Sequence, residues 1–179
     1  MHWPGNFGST DKATNRAQRK AVWEVLEEVY ELGVARAVGV SNWSEVHLQE
    51  LADDGAKLVP HVNQIEVSPH CQYSGLMDYC KAKGITLTAY SPLGSHAGTV
   101  LKNPTAMEMS AKYEKNPGQL VLRWLVQQGI VVLPRPSSEA RIASNSDVFD
   151  FAIDKADMAA LTALNKGKSE TNASPYDFP

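Results

Sequence analysis

His61-Val-Asn-Gln-Ile-Glu-Val67 is a short β-branched run that follows a helical pattern ending at Gly55 and precedes another ending at Gly84. Runs of this length, bounded by glycine, read as buried strands of a parallel sheet. The same unit recurs on both sides of it. Ala35-Arg-Ala-Val-Gly-Val-Ser-Asn42 lies before it, and Ile85-Thr-Leu-Thr-Ala-Tyr-Ser-Pro92 and Gly129-Ile-Val-Val-Leu-Pro134 lie after it. Gly33, Gly55, Gly84 and Gly129 stand where left-handed helix C-caps are expected. Asn103-Pro104 and Asn116-Pro117 pair an N-cap with proline at the first helical position, and Asp154 opens a last helix. A first helix over about Arg16 to Leu32 places Val22, Leu26 and Val29 on one face, widened by Trp23, Val25 and Tyr30. Its glutamates Glu24, Glu27, Glu28 and Glu31 are set toward water.

Strands alternating with helices through right-handed crossovers imply a parallel α/β sheet, but the spacing does not choose between an open sheet and part of a barrel. The G-x-G-x-x-G and G-x-x-x-x-G-K-[ST] phosphate loops are absent. The chain's 179 residues are also too few for a complete (β/α)₈ barrel, which takes roughly 250. Polar residues collect at the strands' C-terminal ends: Ser41 and Asn42, Gln64 and Glu66, Tyr90 and Ser91, then Arg135. Parallel α/β architectures bind ligands at that edge.

Composition narrows the function classes. With 17 Lys plus Arg against 20 Asp plus Glu, a net charge of −3 offers no basic footprint for nucleic acid or an anionic membrane. No apolar run approaches the roughly 18 residues of a membrane span, and Met1-His2-Trp3-Pro4-Gly5 is unlike a signal peptide, so a cytoplasmic location is expected. Cys71 and Cys80 are read as reduced thiols. His47, His61, His70 and His96 share no metal-ligand spacing and are read as surface or loop histidines, with no metal site expected.

Gly39-Val-Ser-Asn42, Val62-Asn-Gln-Ile-Glu66, Ala89-Tyr-Ser-Pro-Leu-Gly-Ser95 and Val131-Val-Leu-Pro-Arg-Pro-Ser-Ser-Glu-Ala-Arg-Ile-Ala-Ser-Asn145 resemble, in order and spacing, the second half of an aldo-keto reductase. His2-Trp3-Pro4 resembles the end of that family's fourth barrel strand, and the turn is most similar to aldose reductase-like and prostaglandin F synthase-like members. The resemblance runs to about residue 168. It implies a partial TIM (β/α)₈ barrel, about the last four β/α units, forming an NADP-dependent oxidoreductase domain over 1–168 with a C-terminal tail over 169–179.

The activity implied is NADPH-dependent reduction of a small-molecule aldehyde or ketone to an alcohol, with NADP(H) as cofactor. By motif position His2 corresponds to the histidine that orients the carbonyl, and Trp3 to a substrate-pocket wall. Ser41, Asn42 and Gln64 match the side chains that bond the nicotinamide carboxamide, and Tyr90 matches the ring that stacks on it. Ser91, Pro92, Leu93 and Ser95 match the loop over the pyrophosphate. Arg135, Ser138, Arg141 and Asn145 match the site for the 2′-phosphate and adenine, where planar guanidinium groups suit phosphate oxygens. Arg135-Pro136 replaces the family's usual Lys-Ser, which keeps the cation and loses a hydroxyl and a backbone N–H.

Taken singly, each signal has an ordinary reading. Ser41-Asn42 is a polar turn, Gln64 and Glu66 are edge-strand residues, Tyr90 is a core aromatic and Arg141 is a surface charge. Their joint order decides for the family. None of Tyr30, Tyr73, Tyr79, Tyr90, Tyr113 and Tyr176 matches the family's catalytic tyrosine, whose lysine and aspartate partners are likewise unmatched. Two readings therefore stay open, a carbonyl reductase and a cofactor-binding half-barrel module without turnover. Four parallel strands also leave open edges through which self-association is expected.

Overall fold

The computed structural model of the chain describes residues 1–179 except 7, 95–97, 168 and 172. Four strands, β1 (Gly39–Ser41), β2 (Val62–Glu66), β3 (Thr86–Tyr90) and β4 (Val131–Leu133), form one sheet in the order β1-β2-β3-β4. β1 pairs with β2 in parallel, setting Ser41 opposite Gln64, and β3 pairs with β4 in parallel, setting Tyr90 opposite Leu133. Strand order following chain order, with a helix after each strand, is the arrangement of one arc of a (β/α) barrel. No helix among the described residues is long and apolar enough to cross a membrane.

The chain divides into two compact units, Met1–Ile65 with Ser74–Leu87 and Ala173–Pro179, and Glu66–Tyr73 with Thr88–Asn172. The first unit holds α1 (Lys12–Glu31), α2 (Glu45–Asp53) and α3 (Ser74–Ala82). Trp23, Trp43, Leu48, Leu51, Ile65 and Leu76 form its apolar core. At Gly39 a side chain has no room, because a Cβ there would lie 2.5 Å from the Val62 carbonyl oxygen of the neighbouring strand.

The buried face of α1 is not the expected one. Asn15, Arg19, Trp23 and Glu27 turn inward, whereas Val22 is 41% and Val25 57% exposed. Partners distant in sequence made that choice. Arg19 Nη2 donates to Glu50 at 2.6 Å and Arg19 Nη1 donates to the Pro4 carbonyl at 2.8 Å. Glu27 Oε1 accepts from Trp23 Nε1 at 3.0 Å and from the backbone N–H groups of Lys57 and Leu58 at 2.7 and 2.9 Å. A buried charge with filled hydrogen bonds is tolerated, and its helix face then goes inside. The helix also starts earlier than the pattern suggested, at an Asp11 N-cap that accepts from Thr14 N.

His47 corrects the surface reading of the histidines, being only 2% exposed on α2. Its Nδ1 accepts from Ser44 N at 3.1 Å, which leaves the ring proton on Nε2 to donate to the Phe178 carbonyl at 3.1 Å. Protonation of Nδ1 would turn that acceptor into a donor facing a donor. Burial, helped by the positive charge of Arg19, pushes the imidazole down to about 4. Phe178 itself is buried, so the last residues are part of this core.

The second unit holds α4 (Pro104–Lys112), α5 (Pro117–Val126), α6 (Glu139–Ser146) and α7 (Lys155–Thr162), with a 3₁₀ turn at Val100–Lys102. The expected caps are present. Asn103 accepts from Thr105 N, Asn116 from Gln119 N and Asp154 from Asp157 N. Leu120, Val121, Leu122, Trp124 and Leu125 of α5 are fully buried. β4, expected to be buried, is instead an outer strand with Val131 and Leu133 about half exposed, because it ends the strand order. The expected strand at 35–42 likewise shortens to three residues.

Two stability measurements check these contacts. Glu27→Ala strands three donors and should lower the urea-unfolding free energy by about 3 kcal/mol, whereas Glu28→Ala on the exposed face should change it by less than about 0.5 kcal/mol. In the unfolded chain His47 binds its proton near 6.5, and in the folded chain only near 4. The unfolded state therefore takes up more protons in between, and stability should fall as pH drops through that window. His47→Gln should flatten that part of the melting-temperature profile.

Candidate active site

At the end of β1 the chain leaves the sheet through Asn42, a non-glycine residue in the left-handed region at φ 59°. Its N–H donates to the Gln64 carbonyl at 2.9 Å, and the Ser41 hydroxyl donates to the same oxygen at 2.8 Å. Residues 1 and 2 close over this turn. Ser41 N donates to the Met1 carbonyl at 3.0 Å and Asn42 Nδ2 donates to the His2 carbonyl at 3.1 Å. Asn42 Oδ1 is buried with no partner among the described residues. An unfilled buried acceptor costs about 1–3 kcal/mol, so this position is suited to a group that brings an N–H.

Ser41, Asn42 and Gln64 are thus brought together, the set that the family resemblance implied. His2 is tied down by its carbonyl while its residue stays exposed. The Trp3 ring lies 5.6 Å from the His2 ring and 5.3 Å from the Phe178 ring. These three rings form an aromatic wall in the first unit.

The second unit carries the other expected residues. Tyr90 is half-buried at the end of β3, and burial pushes its hydroxyl up to about 12. It therefore stays protonated and uncharged at neutral pH, which suits an aromatic platform. Ser91 follows in the left-handed region at φ 49°, Pro92 is buried, and Gly94 N donates back to Ser91 O at 2.9 Å to close a tight turn. Ser95 lies outside the described residues.

After β4, Arg135 is exposed, and Ser138 caps α6 by accepting from Arg141 N at 3.3 Å. Arg141 Nη1 donates to Ser137 Oγ at 2.9 Å, and Asn145 lies half-buried further along α6. The Arg141 guanidinium stands at the first turn of α6, where free N–H groups and the helix dipole favour an anion, although the same turn carries the acidic Glu139.

Two polar residues take a setting that the sequence reading did not give them. His70 is 2% exposed, a second correction to the surface expectation, and Glu66 is 1% exposed. Glu66 stood in view as a carboxylate in a run otherwise fit for burial, and such a group announces donors elsewhere in the chain. Cys71 and Cys80 are free, buried and pushed up to about 12 and about 11 by burial, as inert thiols should be.

The sequence model of the aldo/keto reductase family matches residues 1–166. Glyoxal reductase of Bacillus subtilis is 40% identical over 166 residues, covering 93% of this chain and 55% of the relative. The 9,11-endoperoxide prostaglandin H2 reductase of Trypanosoma cruzi is 39% identical over 94% of this chain and 56% of its own length. The chain thus spans about half the length of the curated relatives it matches. Among solved structures, apo Gox0644 superposes with a TM-score of 0.87 at 31% identity, covering 98% of this chain and 60% of that one. The NADPH complex of its D53A mutant superposes at 0.86 with the same identity and coverage.

The left-handed backbone at Ser91 gives a direct check. Ser91→Gly removes the Cβ that is strained there and should raise stability by about 1 kcal/mol in thermal or urea unfolding, a gain expected only where strain is stored.

Proposed function

The chain belongs to the aldo/keto reductase family, and from that premise we propose that residues 1–168 carry the cofactor side of an NADPH-dependent carbonyl reductase acting on aldehydes or ketones. The observation that carries this reading is Asn42. Its backbone is held in the left-handed region and its Oδ1 is buried without a donor, beside Ser41 and across from Gln64. A primary carboxamide offers two N–H donors and one acceptor; Asn42 Oδ1 and the Gln64 side-chain amide supply the complement. Ser41 Oγ and Asn42 Nδ2 bond each other and the Gln64 and His2 carbonyls, and so fix the pair in place.

When bound, NADPH supplies the hydride. The chain's own residues bind and orient it. Ser41, Asn42 and Gln64 take the carboxamide, and Tyr90 offers its uncharged ring to the nicotinamide. Ser91, Pro92, Leu93 and Ser95 cover the pyrophosphate. Arg135, Ser138, Arg141 and Asn145 take the 2′-phosphate and adenine. His2 orients the substrate carbonyl and Trp3 walls the pocket. The NADPH complex of a structural neighbour supports this assignment.

A second reading, cofactor binding without turnover by these residues, has its own support. Burial is the first cause raising the hydroxyls of Tyr79, Tyr90, Tyr113 and Tyr176 above the ordinary tyrosine value, the opposite of what a tyrosine acid needs.

Fluorescence titration of the 179-residue chain with NADPH and with NADH tests the proposal. NADPH should bind the tighter, and Arg135→Ala should weaken NADPH about tenfold while leaving NADH unchanged, the scale of one charge-assisted phosphate contact. Equal affinity for the two cofactors would sink the assignment. With 4-nitrobenzaldehyde added, loss of cofactor absorbance selects the reductase, and binding without loss selects the second reading.

A further inference from the structure

Glu66 ends β2 with 1% of its surface exposed. A carboxylate so placed costs several kcal/mol unless its oxygens are filled. Three consecutive residues fill them. Ser169 Oγ donates to Glu66 Oε2 at 2.5 Å, Glu170 N to Oε1 at 2.9 Å and Thr171 Oγ1 to Oε2 at 2.7 Å. One buried charge thus anchors 169–171, more than a hundred residues further along the chain.

The anchored residues grip others in turn, all within the second unit. Thr171 is in hydrogen-bonding contact with the Tyr90 hydroxyl. Glu170 Oε1 accepts from Thr99 Oγ1 at 2.5 Å and lies 3.1 Å from His70 Nδ1. Glu170 Oε2 sits over the turn after β3, where a Cβ on Gly94 would lie 2.7 Å from it. Glycine at 94 is favoured by its φ of +82°, and a Cβ there would push the Glu170 carboxylate aside. Just before, Lys166 N donates to the His70 carbonyl at 2.8 Å and Lys166 Nζ lies 3.0 Å from His70 Nδ1.

We infer that 169–171 is a clasp, with Glu66 and Glu170 as positioning residues, that holds the Tyr90 ring and the 91–94 turn in place. Resting on the functional reading above, the clasp also retains the nicotinamide dinucleotide once it is bound. Glu66 fixes the clasp to the sheet, Thr171 stops rotation of the platform ring, and Glu170 closes on the turn. A dinucleotide under that turn can leave only when Glu170 lets go.

The test uses the whole chain with Glu170→Ala, Glu170→Gln and Thr171→Val. Amide exchange of the free protein over 88–94 should quicken about tenfold in Glu170→Ala and Thr171→Val while α5 exchanges as before, and NADPH release in stopped flow should quicken by a similar factor. Glu170→Gln keeps an acceptor for the Thr99 hydroxyl and should restore most of both rates. Unchanged exchange over 88–94 overturns the clasp. Faster exchange with unchanged NADPH release overturns its part in retention. Failure of the parent chain to bind NADPH overturns the functional reading instead, and the exchange rates still decide the clasp.

Discussion

A carboxylate withdrawn from water must have its oxygens filled by donors, and Glu27, Glu50 and Glu66 each meet that demand by gathering distant stretches of chain. Glu27 collects the N–H groups of Lys57 and Leu58, and so sets the approach to β2 against α1. Glu50 receives Arg19, whose other nitrogen bonds the carbonyls of Pro4 and Pro179. Glu66 receives donors from Ser169, Glu170 and Thr171. Apolar burial supplies most of the driving force and is indifferent to direction. These carboxylates add direction, because each accepts only where donors stand at the right distance and angle. Loss of one would leave buried donors unfilled, which is why single substitutions at them matter more than their number suggests.

The strand ends carry a different kind of cost. Asn42 and Ser91 both leave the sheet with left-handed backbone, and Asn42 adds an unfilled acceptor. Such features persist only where the surrounding structure holds them, and they gather at binding sites. Here they fall at the C-terminal ends of β1 and β3, the edge where parallel sheets place their ligands. Within the second unit, the packing of α5, which buries most of its length, supplies stability of the opposite sign.

Much of the fold was legible because its signals are local. Asn103, Asn116 and Asp154 cap helices with side chains that bond backbone two or three residues away, and Gly33, Gly55, Gly84 and Gly129 all take positive φ. The grouping of Ser41, Asn42 and Gln64 was legible only through the family resemblance of the motifs around them, and the register of β1 and β2 then sets Ser41 opposite Gln64. The inward face of α1 was not. Its apolar spacing favoured Val22, Leu26 and Val29, and only the positions of Glu50, Lys57 and Pro4 make Arg19 and Glu27 cheaper to bury. His47 and His70 were misplaced for the same reason, since their partners Phe178 and Glu170 lie 131 and 100 residues away.

The amino-acid sequence by itself determined the order of strands and helices, the caps that bound them, and the family, because each of these is written in residues close together along the chain. Tertiary structure alone decided which polar groups are buried, which strand is an outer one, and how 169–171 fastens onto Glu66. Those outcomes depend on donors and acceptors meeting across long separations, and the cost of burying a charge is known only once its partners are in place.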